Sequence, residues 1–241
     1  MLVNTRTFVI IGLTCFAGQA HANTTFMDGV FAPATWASST VTNTGGSGST
    51  SVETQFLTGG NPNEFMRIDL TLHVNGPDSA VWSLNTNNTA FYNPVSQGAI
   101  TSINYSEDSR NFAPNNAGNV QGTGLLIVQG GKVFTQRNPV LVMPSPGFSN
   151  WAPNSAPGLV AADLWELTNT GTLIFNSNPD FSATGGTMQF GFWRGASSGT
   201  TGSGTYFRDA GIDNWRVEIV PSPGAFAVFA VGGLVAVRRR R

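Results

Sequence analysis

The sequence predicts an all-β protein: a two-sheet antiparallel jelly-roll sandwich, with an N-terminal signal helix and a short C-terminal hydrophobic helix. Three observations lead there. Short runs of alternating apolar and polar residues recur, each bounded by Gly, Asn or Pro. No stretch of the body carries a helical repeat. The body is rich in Gly, Asn, Ser and Thr and poor in charge, with no internal repeat at a fixed period.

The N-terminus comes first. Arg6 precedes an apolar run from Phe8 to Ala17, and Ala20-His21-Ala22 has the small-x-small form of a cleavage site. Residues 1–22 therefore read as a secretory signal peptide, cut after Ala22. The first strand is expected over Phe26–Phe31, with Trp36 after it. Thr44–Thr50 is a Gly/Ser-rich loop, Val52–Leu57 a strand, and Gly59-Gly60-Asn61-Pro62 a turn. Phe65–Asn75 is the clearest strand. Met66, Ile68, Leu70, Leu72 and Val74 share one face, and Phe65, Arg67, Asp69, Thr71 and His73 share the other.

Further strands are expected at Val81–Leu84, Ala90–Tyr92 and Ile100–Ser106. Gly124–Gln129 and Lys132–Gln136 form a hairpin about Gly130-Gly131. The proline-rich stretch Asn138–Gly158, which contains Trp151, reads as a loop. Leu164–Leu167, Thr172–Phe175 and Met188–Arg194 are strands, and Ala196–Gly204 is a loop. Ile212–Val220 closes the domain with Trp215, Val217 and Ile219 on one face. Eleven to thirteen short strands in residues 23–220 suit one sandwich of two packed sheets.

The tail, residues 221–241, is different in kind. Pro221-Ser222-Pro223-Gly224 precedes thirteen apolar or glycine residues, Ala225–Val237, and then Arg238, Arg239, Arg240 and Arg241. Thirteen helical residues span about 20 Å, short of the roughly 30 Å hydrocarbon core, but arginines can snorkel to the headgroups and hold the cytoplasmic side. This order of Pro-x-Pro, apolar helix and arginine cluster resembles a PEP-CTERM sorting signal. The resemblance implies an exosortase-type processing enzyme as partner, a membrane contact through the C-terminal helix, and a cell-envelope or extracellular destination. The family motif has Glu between the prolines, where this chain has Ser222.

Composition excludes several functions. Between the two signals lie seven Lys+Arg and thirteen Asp+Glu, a formal charge of −6, so the basic footprint of a nucleic-acid binder is missing. Cys15 lies in the signal, leaving the body without thiol nucleophile or disulfide. His73 is the body's one histidine, too few for a catalytic triad or a typical zinc site. Glu107 and Asp108 are adjacent, so on a strand they face opposite ways and cannot flank one glycosidic bond. The chain is expected not to be an enzyme and to require no cofactor.

Gln189-Phe190-Gly191-Phe192 and Gly211-Ile212-Asp213-Asn214-Trp215 resemble the closing strands of concanavalin A-like or carbohydrate-binding jelly rolls. That resemblance implies saccharide, such as extracellular polysaccharide, as ligand. It also implies a structural calcium tying first strand to last, at Asp28 and Asp213. Alternation independently puts Asp213 in the inward phase of Trp215 and Val217, where a carboxylate needs partners or a cation. Sugar platforms are expected at Trp151, placed in a Pro/Asn/Ser loop, at Tyr206 beside a Gly/Ser loop, and at Trp193 with Arg194 at a strand end. A purely structural surface protein without ligand is the alternative, and a polysaccharide hydrolase a more distant one.

Overall fold

A computed structural model describes residues 22–112, 119–143, 148–199 and 202–222. The signal helix, the apolar helix and the terminal arginines lie outside these residues. The sandwich is complete within Ala22–Ser222, which forms one compact unit. Fourteen strands in the described residues build two antiparallel sheets, and no described helix is long and apolar enough to cross a membrane.

The first sheet contains β1 (Thr24–Asp28), β3 (Thr50–Gly60), β4 (Asn63–Val74), β6 (Ile100–Asn111), β10 (Ala152–Leu159) and β14 (Gly204–Pro221), in the order β10-β6-β14-β4-β3. The second has β2 (Trp36–Thr42), β5 (Ala80–Tyr92), β7 (Gln121–Gln129), β8 (Lys132–Gln136), β9 (Val140–Val142), β11 (Leu164–Leu167), β12 (Leu173–Ile174) and β13 (Met188–Ser197). Its order is β12-β11-β8-β7-β13-β5-β2, with β9 against β7.

β4 follows its expected alternation. Met66, Ile68, Leu70, Leu72 and Val74 are buried between the sheets, each worth about 1.5–3 kcal/mol of transfer free energy. β14 is the spine of the first sheet. Its first half pairs with β4, its second half pairs with β1 from Trp215↔Asp28 to Ile219↔Thr24, and β6 lines its other side. Trp215, Val217 and Ile219 are fully buried.

Several boundaries differ from expectation. Val81–Leu84 and Ala90–Tyr92 are one strand, β5, because the intervening Asn and Thr residues stay in the ladder. The proline-rich 138–158 stretch contributes β9 and much of β10. Prolines are tolerated there because β10 is an edge strand needing donors on one side only. β14 begins at Gly204, inside the expected loop, and runs on to Pro221. Pro221 pairs with Ile100, and the Ser222 N–H donates to Ala99 O at 2.7 Å, so the first two residues assigned to the tail belong to the sandwich.

Candidate functional site

The interior between the sheets is polar at one end. Glu107 and Arg194 face each other there, both side chains fully buried, with Arg194 Nη2 2.8 Å from Glu107 Oε1. β6 delivers Glu107 in the inward phase of Ile103 and Tyr105, and β13 delivers Arg194 in the inward phase of Phe190 and Phe192. Glu107 Oε1 also accepts from Ser109 Oγ and from Asn154 Nδ2 at 3.2 Å; Oε2 accepts from Tyr105 OH and from Thr123 Oγ1 at 3.0 Å. Arg194 Nη2 donates further to Ser109 Oγ and Gly211 O, while its Nε and Nη1 find no acceptor among the described residues. Burial first, and the Glu107 carboxylate second, push the Tyr105 phenol well above its ordinary range. The knot is closed to solvent. Arg194 is thus corrected from a surface ligand contact to an interior cation, and a bound molecule would have to part the sheets to reach it.

Trp193 points the other way, as its phase requires. It is only 6% exposed, packed with Leu84, Leu126 and Leu167 in a second apolar cluster on the outer face of the second sheet. One row of that face crosses four strands as Trp82, Gly195, Gly122 and Leu141. The glycines let the Trp193 indole lie flat against the strands: a Cβ on Gly195 would come 2.9 Å from its Cζ3, and one on Gly122 3.2 Å from its Cη2. Beside the indole opens a cleft of about 230 Å³ walled by Trp82, Pro139, Leu141 and Ser197, with no charged side chain in its lining.

The other expected platforms lie apart from this cleft. Trp151 folds onto the outer face of the first sheet. Its Nε1 donates to Gly59 O at 2.7 Å, and its ring meets Phe65 edge-on at 5.2 Å. Phe112 joins this group, with the guanidinium groups of Arg67 and Arg110 over its ring. Tyr206, 36% exposed, donates to Ser203 O at 3.2 Å and carries the Arg208 guanidinium over its ring. The four predicted ligand residues therefore occupy four separate places. Trp82 and Leu141 were missed; the signal available for Trp82 was its outward alternation beside Val81 and Ser83.

Asp28 and Asp213 also differ from expectation. A bulge between Asp213 and Arg216, with Asn214 at φ 50°, inserts one residue into β14 opposite β6. It changes the side-chain phase, so Asp213 lies opposite Asp108 on the outer side and not in the inward phase of Trp215. The Asp213 carboxylate is fully buried and accepts from the Asn61 N–H and, at 2.6 Å, from the Asn214 N–H. Asp28 Oδ1 accepts from the Val30 and Phe31 N–H groups, and its Oδ2 from Trp36 Nε1 at 2.8 Å. Each of these oxygens already accepts an N–H bond, and Asp28 Oδ1 accepts two. Among the described residues no group of three or more His, Cys, Asp or Glu could hold a metal. Both acids are turn-capping carboxylates. His73 is likewise a bonded strand residue, its Nδ1 2.9 Å from Thr205 Oγ1.

Five carboxylates fall into two sets with opposite pH consequences. Asp213 is raised above its ordinary value by desolvation first, against the pull of its two N–H bonds, with Asp108 and Glu64 adding to the rise. Asp209 is raised by desolvation and then by Asp69 directly across the ladder. Glu166, Asp180 and Glu218 are lowered, chiefly by hydrogen bonds from Lys132, Ser182 and Asn23 respectively. A raised group stabilises the fold below its unfolded pKa and loses that contribution as pH rises through the folded value. A lowered group loses its contribution as pH falls through the folded value. Thermal stability should therefore peak near the ordinary carboxylate range, about pH 4, and decline on both sides. Asp209→Asn should flatten the decline on the alkaline side. A melting temperature that climbs steadily from pH 4 to pH 7 would contradict this.

No protein family, no curated protein and no solved structure matches the chain.

Proposed function

We propose that this chain is an exported envelope or matrix protein that works by presenting its sandwich outside the membrane, not by catalysis, and that it takes neutral saccharide in the outer cleft of the second sheet. The observation that carries the export reading is the coincidence of boundaries. The compact unit starts at Ala22 and ends at Ser222, where the sequence has a signal-peptidase site and the start of a PEP-CTERM-like tail. Only Pro223 onwards is then left as tail, handled by an exosortase-type enzyme and anchoring the sandwich to the membrane for a time or permanently.

The saccharide reading rests on the cleft beside Trp193. An exposed part of Trp82 supplies an apolar wall for a sugar's C–H face, Ser197 supplies a hydroxyl, and the uncharged lining favours neutral sugars over acidic ones.

Two measurements test the parts separately. Mass spectrometry of the protein from its native envelope should find Asn23 as the first residue; a chain that keeps Met1 would sink the export reading. Residues 22–222 should be retained on an insoluble neutral polysaccharide, and Trp82→Ala should abolish retention with its melting temperature little changed. Equal retention of the two proteins would remove the cleft from the account. Absence of retention on every polymer would favour the purely structural alternative.

A further inference from the structure

Apart from β1 and β9, short strands set beside β14 and β7, each sheet has two edge strands, and the two flanks they form are built differently. On one flank, β10 carries Pro153 and Pro157 and is interrupted by a register shift after Ala156. The second sheet ends there in β12, two residues long, beside the Lys132–Glu166 ion pair at 2.7 Å. Prolines, irregularities, short strands and lysines are the devices by which sheet edges avoid pairing with other chains.

The other flank has none of them over its regular part. Among the described strands, β2, seven residues long, is bonded to β5 alone and β3 to β4 alone. Neither strand contains Lys, Arg or Pro. The one charge, Glu53, is turned inward and accepts from Ser83 Oγ at 2.6 Å. The two edges lie side by side, joined by Thr40 Oγ1 and Ser51 Oγ at 2.6 Å. Ala37, Ser38, Ser39 and Thr40 are all exposed.

We propose that this flank is a self-association surface, on which β2 of one copy pairs antiparallel with β2 of a second copy of this chain. A two-fold axis through Ser39 sets Ser38 opposite Thr40 and Ala37 opposite Val41 of the partner strand. Small and hydroxyl side chains thus meet their equivalents, in the self-complementary geometry of a two-fold interface. Charge selects the same strip. The body carries seven Lys+Arg against thirteen Asp+Glu, so two copies repel over most of their surfaces, whereas β2 brings no charge to the contact. The proposal is independent of the export and saccharide readings.

Sedimentation of residues 22–222 over a range of concentrations tests it, alongside Ser39→Lys on β2 and Ser155→Lys on the guarded edge β10. Wild type and Ser155→Lys should pass from monomer to dimer as concentration rises. Ser39→Lys should remain monomeric while keeping its near-ultraviolet circular dichroism and melting temperature. Amide hydrogen exchange gives a second readout that needs no variant: residues 37–41 should gain protection with concentration. A wild type that is monomeric throughout, a dimer that survives Ser39→Lys, or β2 exchange independent of concentration would each overturn the proposal.

Discussion

Glu107→Ala should destabilise the sandwich by about 3–5 kcal/mol, the range for removing one partner of a buried ion pair. The cause is the cation left behind. Arg194 is fully buried, its Nε and Nη1 already lack acceptors among the described residues, and loss of Glu107 would leave only Ser109 Oγ and Gly211 O on Nη2. The reverse change, Arg194→Met, should cost less. Glu107 keeps donors from Tyr105, Ser109, Thr123 and Asn154 when the guanidinium is gone. A paired Glu107→Met, Arg194→Met variant should recover much of the loss, because it buries no unpaired charge. Urea denaturation of the four proteins measures these differences and gives the coupling energy directly. A double variant as unstable as the sum of the two single variants would show that the charges do not act as a pair, and equal losses for the single variants would show that the stranded Arg194 is no costlier than the stranded Glu107. Retention on polysaccharide should be unchanged in any variant that remains folded, since the knot has no solvent access.

What the sequence made legible follows period two. β4 was readable because five apolar residues alternate without interruption, and the same rule set Trp193 outward against Phe190 and Phe192. It also set Arg194 inward, two residues past Phe192, but the charge argued for solvent. The interior position becomes intelligible only with Glu107, which sits eighty-seven residues earlier on a strand where it shares the phase of Tyr105. Two strands each carrying one charge of opposite sign on an otherwise inward face were the available signal. The β14 bulge left no such signal. Asn214 adopts a left-handed backbone that Asn tolerates, and that single event reversed the expected side of Asp213. The loop tryptophan Trp151 found a carbonyl, Gly59 O, on a distant turn, a partner that no local pattern encodes.

Trp215→Ala should cost about 3–5 kcal/mol, the range for removing a large aromatic from a core. Trp215 is fully buried and meets the Trp36 ring edge-on at 5.0 Å. Trp36 in turn packs on Phe31 at 5.4 Å and on Phe192 at 5.3 Å. Its indole N–H holds Asp28, the β1 residue that pairs with Trp215. The cavity would therefore open where β1, β2, β13 and β14 converge, loosening both sheets at once. In a domain of this size the melting temperature should fall by roughly 6–20 °C, and Trp215→Phe should fall by less. With Asn214 in the chain, the position also depends on the bulge. Deleting Asn214 would remove the extra residue and restore strict alternation across Ile212–Trp215. Ile212 and Trp215 would then stand two apart, so Trp215, Val217 and Ile219 would keep the inner face and the ladder with β6 would close without a bulge. That deletion should therefore keep cooperative unfolding while lowering the melting temperature, since the Asn214 bonds to Asp213, Asn61 and Asp108 are lost, and Asn214→Gly, which preserves the chain length and accepts a positive φ, should keep it too. If the deletion variant lost cooperative unfolding, the bulge would have to do more than absorb the one extra residue between Ile212 and Trp215.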